Sequence, residues 1–193
     1  DEVYIEQSDA DRAAKKKPSN STNTGSGNTN SGNSGASGNN GNSQPAPSGT
    51  NAVGWILDGN RWYYRYPDGT YLKNGWGSIG GVWYLFDANG MMLTGWQLKN
   101  GVYYYMNGDG KMQTGWINYN NTWYYLSESG AMVTGWITLG DKAYYLGGDG
   151  GMLTGWQNID GQIYYLYPDG HKAVNEVIDT FYVDQDGIWR KPQ

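Results

Sequence analysis

The chain has 193 residues, with 13 Lys and Arg against 18 Asp and Glu, a formal net charge of −5, one histidine and no cysteine. Without cysteine there is no disulfide framework and no thiolate chemistry. The acidic balance argues against nucleic acid, whose phosphates need clustered Lys and Arg, and leaves a cationic partner open. No apolar run approaches the roughly 18 residues of a membrane span.

In chain order, residues 1–17, DEVYIEQSDADRAAKKK, begin acidic and end basic. This order suits the dipole of a short helix, but so short a peptide is marginal alone and too small for an enzyme domain. No signal peptide remains, and a start at Asp1 rather than Met is expected of a processed or trimmed chain. Residues 18–50 are Asn, Ser, Gly and Thr with a few Pro and Ala, and no charge. Such a stretch cannot bury enough apolar surface to offset the entropy of ordering it. It reads as a disordered linker, with an r.m.s. reach on the order of 30 Å.

Past residue 50 the composition changes. Gly-Trp recurs at 54–55, 75–76, 95–96, 115–116, 135–136 and 155–156, a period of 20 after a first interval of 21. Seven residues after each Trp an apolar triplet begins: Trp62-Tyr63-Tyr64, Trp83-Tyr84-Leu85, Tyr103-Tyr104-Tyr105, Trp123-Tyr124-Tyr125, Ala143-Tyr144-Tyr145 and Ile163-Tyr164-Tyr165. Phe181-Tyr182-Val183 is a seventh, degenerate copy. Between Trp and triplet stands a turn pair in register, such as Gly80-Gly81, Asn100-Gly101 or Asp160-Gly161. These residues tolerate the positive φ of tight hairpin turns, and the aromatic and β-branched flanks favour strands. Each repeat is therefore predicted to be a β-hairpin followed by a Gly-rich loop. A lone hairpin is marginal in water, so the copies are expected to stack as a solenoid. Alternation places the first and third triplet residues on one face and the middle Tyr on the other. The middle Tyr is expected to be structural.

Repeated Trp and Tyr in units too small for a core are, in the first place, core themselves. Two details pull the other way. Trp and Tyr number 28 against 2 Phe, and aliphatic residues are scarce in the repeats. A dry core has little reason to prefer rings whose polar atoms need partners. Partly open ring faces suit a cation or a sugar ring. A quaternary ammonium has no N–H for a carboxylate to accept, and its charge spreads over methyl groups that desolvate between ring faces; choline is the common ligand of such aromatic cages.

The units GWQLKNGVYYYMNGDGKMQT (95–114), GWINYNNTWYYLSESGAMVT (115–134) and GWITLGDKAYYLGGDGGMLT (135–154) resemble the choline-binding repeats of Gram-positive surface proteins, phage lysins and autolysins. The resemblance covers residues 54 to about 175. It implies an all-β solenoid of stacked hairpins that holds the phosphocholine of wall teichoic or lipoteichoic acid. It also implies sites between consecutive repeats. Each is made of the Gly-Trp residue and first triplet aromatic of one repeat, the third triplet aromatic of the next, and an intervening Met as an adaptable wall. Three complete groups result: Trp76, Trp83, Tyr105 with Met92; Trp96, Tyr103, Tyr125 with Met112; and Trp116, Trp123, Tyr145 with Met132.

The ends depart from the pattern. Trp55 and Trp62 face Leu85, with Tyr71-Leu72 in place of Met; Trp136 keeps Tyr165 and Met152 but has Ala143 as its second wall; Trp156 has Ile163 and Val183. Those interfaces are expected to bind weakly or not at all. Lys172 takes the Met position of the last repeat and Asn175-Glu176 replaces Gly-Trp, so residues 51–175 read as the repeat solenoid and 176–193 as a cap hairpin or a homodimer contact.

His171 stands in the last loop without a Ser or Cys partner and is expected to be exposed. Asp184-Gln185-Asp186-Gly187 begins like a calcium loop but has Ile188 where a further oxygen ligand belongs, so it reads as a turn. Recurrent loop Asp residues likewise favour turn duty over catalysis. The expectation is a binding module that is not an enzyme and needs no cofactor or metal, secreted and held non-covalently at the bacterial surface, with an arm free to contact a host protein. Two alternatives belong to other classes: a glucan- or carbohydrate-binding repeat, against which Met92, Met112, Met132 and Met152 speak, and the wall-binding part of a cell-wall hydrolase lacking its catalytic domain.

Overall fold

The computed structural model describes residues 51–191; the predicted N-terminal peptide and linker lie outside them. Among the described residues there are fourteen strands and no helix. The strands are β1 (Gly54–Asp58), β2 (Arg61–Arg65), β3 (Gly75–Ile79), β4 (Val82–Phe86), β5 (Gly95–Lys99), β6 (Val102–Met106), β7 (Gly115–Tyr119), β8 (Thr122–Leu126), β9 (Gly135–Leu139), β10 (Lys142–Leu146), β11 (Gly155–Ile159), β12 (Gln162–Leu166), β13 (Glu176–Ile178) and β14 (Phe181–Val183). Each pairs with its chain neighbour in a two-stranded sheet. The hairpins belong to two compact units, residues 51–98 with 104–113 and residues 114–191 with 99–103.

The turn residues account for the hairpins. Gly80 and Gly81, Asn120 and Asn121, and Asp160 and Gly161 all have positive φ, as a type I′ turn demands at both central positions. Register follows from the turn, and Trp116 stands opposite Tyr125 just as Trp55 stands opposite Tyr64.

Alternation then sorts the side chains. The middle triplet tyrosines face inward: Tyr63 and Tyr124 are fully buried, and Tyr84, Tyr104 and Tyr164 nearly so. Two residues further along β4, β6, β8, β10 and β12 lies a second buried position, Phe86, Met106, Leu126, Leu146 and Leu166, each burial worth about 1.5–3 kcal/mol. Tyr144 is half-buried, and the seventh triplet departs further. Tyr182 is exposed, and its hydroxyl donates to Asn175 Oδ1 at 2.7 Å.

The segment around each Met joins hairpin to hairpin. In the first unit Met92 N–H donates to Trp62 O of the preceding hairpin at 2.8 Å, while Leu93 N–H donates to Leu85 O of its own at 2.8 Å. In the second unit Met152 and Leu153 do the same with Trp123 O and Tyr145 O. Within each unit the hairpins are thus stacked by main-chain bonds as well as by rings, the all-β architecture expected of such a solenoid. The loops are closed by short polar side chains. Asp87 Oδ1, for example, accepts the N–H groups of Asn89 and Met91 at 2.8 Å.

The Met side chain occupies space that a loop glycine leaves free. A Cβ on Gly150, which sits at φ +84°, would stand 2.5 Å from Met132 Sδ, whereas one on the neighbouring Gly148 would meet nothing within 4 Å. Gly150→Ala is therefore expected to lower unfolding free energy by about 1–3 kcal/mol. Gly148→Ala should stay within ~0.5 kcal/mol of the parent in the same urea or thermal titration.

Candidate functional site

On the outer face of two hairpins three rings come together. Across the β7–β8 hairpin Trp116 lies against Tyr125, with ring centroids 5.2 Å apart, and Trp123 stands perpendicular to Trp116 at 6.4 Å and 87°. Trp123 is 45% exposed. Two indoles at a right angle, one half-buried and one exposed, form a corner. The β1–β2 hairpin repeats it: Trp55 and Trp62 meet at 6.3 Å and 87°, with Trp62 exposed.

Four of the repeat tryptophans are also held from behind by the middle tyrosine of the following hairpin. These contacts are Trp55–Tyr84 at 4.8 Å, Trp76–Tyr104 at 4.9 Å, Trp116–Tyr144 at 5.2 Å and Trp136–Tyr164 at 4.9 Å. The sequence reading put the middle tyrosines on the inner face, where they lie, but missed that they anchor the outer tryptophans. The 20-residue period carried the signal, since it fixes both positions in every copy.

Of the first predicted group, Trp76 and Trp83 are half-buried in one hairpin, and half-buried Tyr105 lies against Trp96 at 5.2 Å. Met92 is 9% exposed and sits in a core cluster with Tyr84 and Phe86, with Trp55 and Tyr64 packed onto it. Its partners therefore include the hairpin before the one with which it was grouped. The second group is divided: Trp96 and Met112 belong to the first unit, where Met112 N–H donates to Trp83 O. Tyr103 and Tyr125 belong to the other, where Tyr103 O accepts the N–H of Met132. In the third group Trp116 and Trp123 form the corner just described, Tyr145 lies against Trp136 at 5.1 Å, and Met132 is buried at 1% exposure.

At the ends, Leu85 is buried, Tyr71 packs edge-on to Tyr63, and Tyr165 lies against Trp156 at 5.1 Å. Met152 is half-buried, with its Sδ where a Cβ on Gly170 would fall. Phe181, which the sequence offered only as part of a degenerate triplet, covers Trp156 at 5.7 Å and reaches Trp189 at 6.1 Å.

The polar groups have structural work. His171 is less exposed than expected, because its ring stacks on Tyr167 at 4.4 Å and 22° while Nδ1 lies 2.5 Å from Asp169 Oδ1. Burial pushes the Asp169 carboxyl up, but its hydrogen bonds with the His171 ring and main chain outweigh that and hold it below the usual range. Tyr167 donates its hydroxyl to Glu176 Oε2 at 2.8 Å, which raises the phenol. Asp184 is a turn residue: its Oδ1 accepts the N–H groups of Asp186 and Ile188 at 2.9 Å, and its Oδ2 accepts from Arg190 Nε at 2.7 Å.

Known proteins share this pattern. The choline-binding repeat family model matches residues 73–114, 93–134 and 113–154, and a second model, for a cell wall binding repeat, matches 53–71 and 154–172. The chain belongs to the choline-binding repeat family. No curated protein sequence matches it. Among solved structures, choline binding protein F from Streptococcus pneumoniae, crystallised in the presence of a peptidoglycan analogue, is 43% identical with a TM-score of 0.70 over 72% of this chain and 47% of its own. CbpJ from Streptococcus pneumoniae TIGR4 is 42% identical with a TM-score of 0.70, over 72% and 48%. The modular autolysin LytC from Streptococcus pneumoniae is 25% identical with a TM-score of 0.53, over 70% and 37%. This chain thus spans less than half the length of each.

Acid titration tests the Asp184 turn. Hydrogen bonding from the Ile188 N–H, foremost, and from Arg190 holds Asp184 below the usual carboxylate range despite burial. A lowered folded pKa gives stability that is complete above the unfolded value of about 3.9 and is lost as pH falls through the folded one. Asp184→Ala is expected to lower Tm at neutral pH and to flatten the fall of Tm below about pH 4, read by circular dichroism at several pH values.

Proposed function

We propose that the outer aromatic corners bind the quaternary ammonium of choline or phosphocholine on wall teichoic or lipoteichoic acid, and that this chain attaches non-catalytically to the bacterial surface. The observation that carries this reading is the Trp116–Trp123 corner, perpendicular at 6.4 Å with Trp123 45% exposed. Membership of the choline-binding repeat family supports it. So does the 40%-identical structure of CbpF in complex with ipratropium, a ligand whose nitrogen is quaternary (TM-score 0.68, 72% of this chain and 49% of that one). In this reading Trp76 with Trp83, and Trp116 with Trp123, supply two ring faces each, Tyr105 and Tyr145 of the following hairpins supply the third, and Met92 and Met132 lie buried in the core. Residues 51–175 would be the binding part and 176–193 its cap.

The magnitudes favour many weak sites. Two or three desolvated rings give ~2 kcal/mol each, about 4–6 kcal/mol in all; association costs at least about 4 kcal/mol of that, so a single site is no tighter than roughly millimolar. A polymer bearing many cholines would raise avidity by ~10²–10⁴ where spacing permits. Retention at a wall, rather than capture of a free metabolite, fits that regime.

Calorimetric titration with choline, its uncharged isostere 3,3-dimethylbutanol and a dextran oligomer separates the readings. Saturable heat at millimolar choline, weak with the isostere and absent with dextran, is expected; heat with dextran alone would move the corners to carbohydrate. Trp123→Ala should remove about one choline equivalent with little loss of Tm, because its ring is half open. Trp116→Ala should remove the same equivalent and also destabilise by about 3 kcal/mol, because Trp116 holds Tyr125 and Tyr144.

A further inference from the structure

Sixteen residues after a repeat tryptophan stands Met92, Met112, Met132 or Met152, and in the last repeat Lys172. The buried Met is a wedge. Met92 packs with Tyr84 and with Trp55 of the preceding hairpin, whose rings are 4.8 Å apart, and a Cβ on Gly110 would stand 2.2 Å from its Sδ.

Lys172 takes the same place with its stem. Its N–H donates to Ala143 O at 2.8 Å, as Met152 N–H does to Trp123 O. A Cβ on Gly187 would stand 2.8 Å from Lys172 Cδ and 3.0 Å from Cε, so the methylenes fill the space that the thioether fills elsewhere. The ring pair beside it is Trp136 and Tyr164 at 4.9 Å. What differs is the tip. Lys172 Nζ lies 5.2 Å from the Trp136 ring centroid and 5.7 Å from that of Tyr164, and it donates to Asp186 O at 2.8 Å. Two other cations of this unit go to carboxylates, Lys142 to Asp169 and Arg190 to Asp184. Lys172 goes to ring faces and a carbonyl.

We infer that Lys172 is a tethered cation that fills the Trp136–Tyr164 aromatic pair from within and closes the Trp136 interface to a quaternary ammonium from outside. The closure rests on the function proposed above; the tether does not. A primary ammonium differs from choline in having N–H donors, and the Asp186 carbonyl meets that need where a cage of rings alone does not. With the ammonium in place, a second cation on the same indole meets like-charge repulsion, and the ring quadrupole that would attract it is already engaged. Ala143 leaves the outer corner without its second ring, so the interface is both open on one side and occupied on the other.

Two measurements on the full chain test this. By NMR, the Lys172 ε-methylene protons are expected upfield of those of Lys111 and Lys191 through ring currents, and to return to the ordinary lysine position in Trp136→Leu. An ordinary position in the parent would overturn the tether. In choline calorimetry, Ala143→Trp alone is expected to add no equivalent, while Ala143→Trp with Lys172→Met, which restores both repeat residues, adds one. A gain with Lys172 still present would overturn the closure, and so would no gain in the double variant of a protein that binds choline at its other corners. Shifted ε-protons in a chain that binds no choline in any variant would sink the outer-corner reading and leave the tether standing.

Discussion

Two five-residue strands cannot hold themselves together in water. Everything else in these repeats depends on how that deficit is met. The central hairpins bury the middle tyrosine wholly or in part and the apolar residue two further on, but the ladder of one hairpin ends after five residues, and the rings of one hairpin cover only one side of the next. The Met segment supplies what is missing. Its N–H groups bond to carbonyls on both neighbouring hairpins, as Met152 and Leu153 do with Trp123 and Tyr145, and its thioether fills the gap between one hairpin's tryptophan and the following tyrosine. The glycine above it has no alternative, because φ and space both forbid a side chain.

The outer corners are a consequence of that construction rather than an addition to it. Alternation puts the structural tyrosine inward, so the first and third triplet residues and the Gly-Trp ring must share the other face. The turn fixes register, and register sets Trp116 against Tyr125 and leaves Trp123 beside them at a right angle. A tryptophan pinned behind by the next hairpin's tyrosine has little rotamer freedom left to lose on binding, so the ring faces are organised before any ligand arrives.

Much of this was legible in the residues. The turn pairs, the hairpins, the inward tyrosine and the ring-rich outer face all follow from a strict period and from two-residue alternation. Three things were not. The apolar residues after the triplets, Phe86 to Leu166, recur at the same spacing and share the tyrosine's face, but their identity changes from copy to copy, so they stand out less than the Trp and Tyr positions. Met92 was placed with the later hairpin because sequence adjacency does not reveal a main-chain bond running backward to Trp62. The role of Phe181 against Trp156 was hidden because the last hairpin breaks the pattern that made the others readable.

The broken pattern at Lys172 follows from the same physics. A wedge position between two rings accepts whatever fills it without leaving a buried polar group unpaired. Methionine meets that condition with a soft apolar tip. Lysine meets it only where an acceptor lies just beyond the rings, and the loop that begins at Asp184 provides one by turning the Asp186 carbonyl toward the ammonium. Asp87, Asn107 and Asp184 close their turns in the same way, each accepting the N–H four residues on; at the last turn Lys172 reaches in addition a main-chain oxygen, that of Asp186. The position that packs the stack inside is thus the one at which a single change of residue turns a packing wedge into a cation placed on tryptophan.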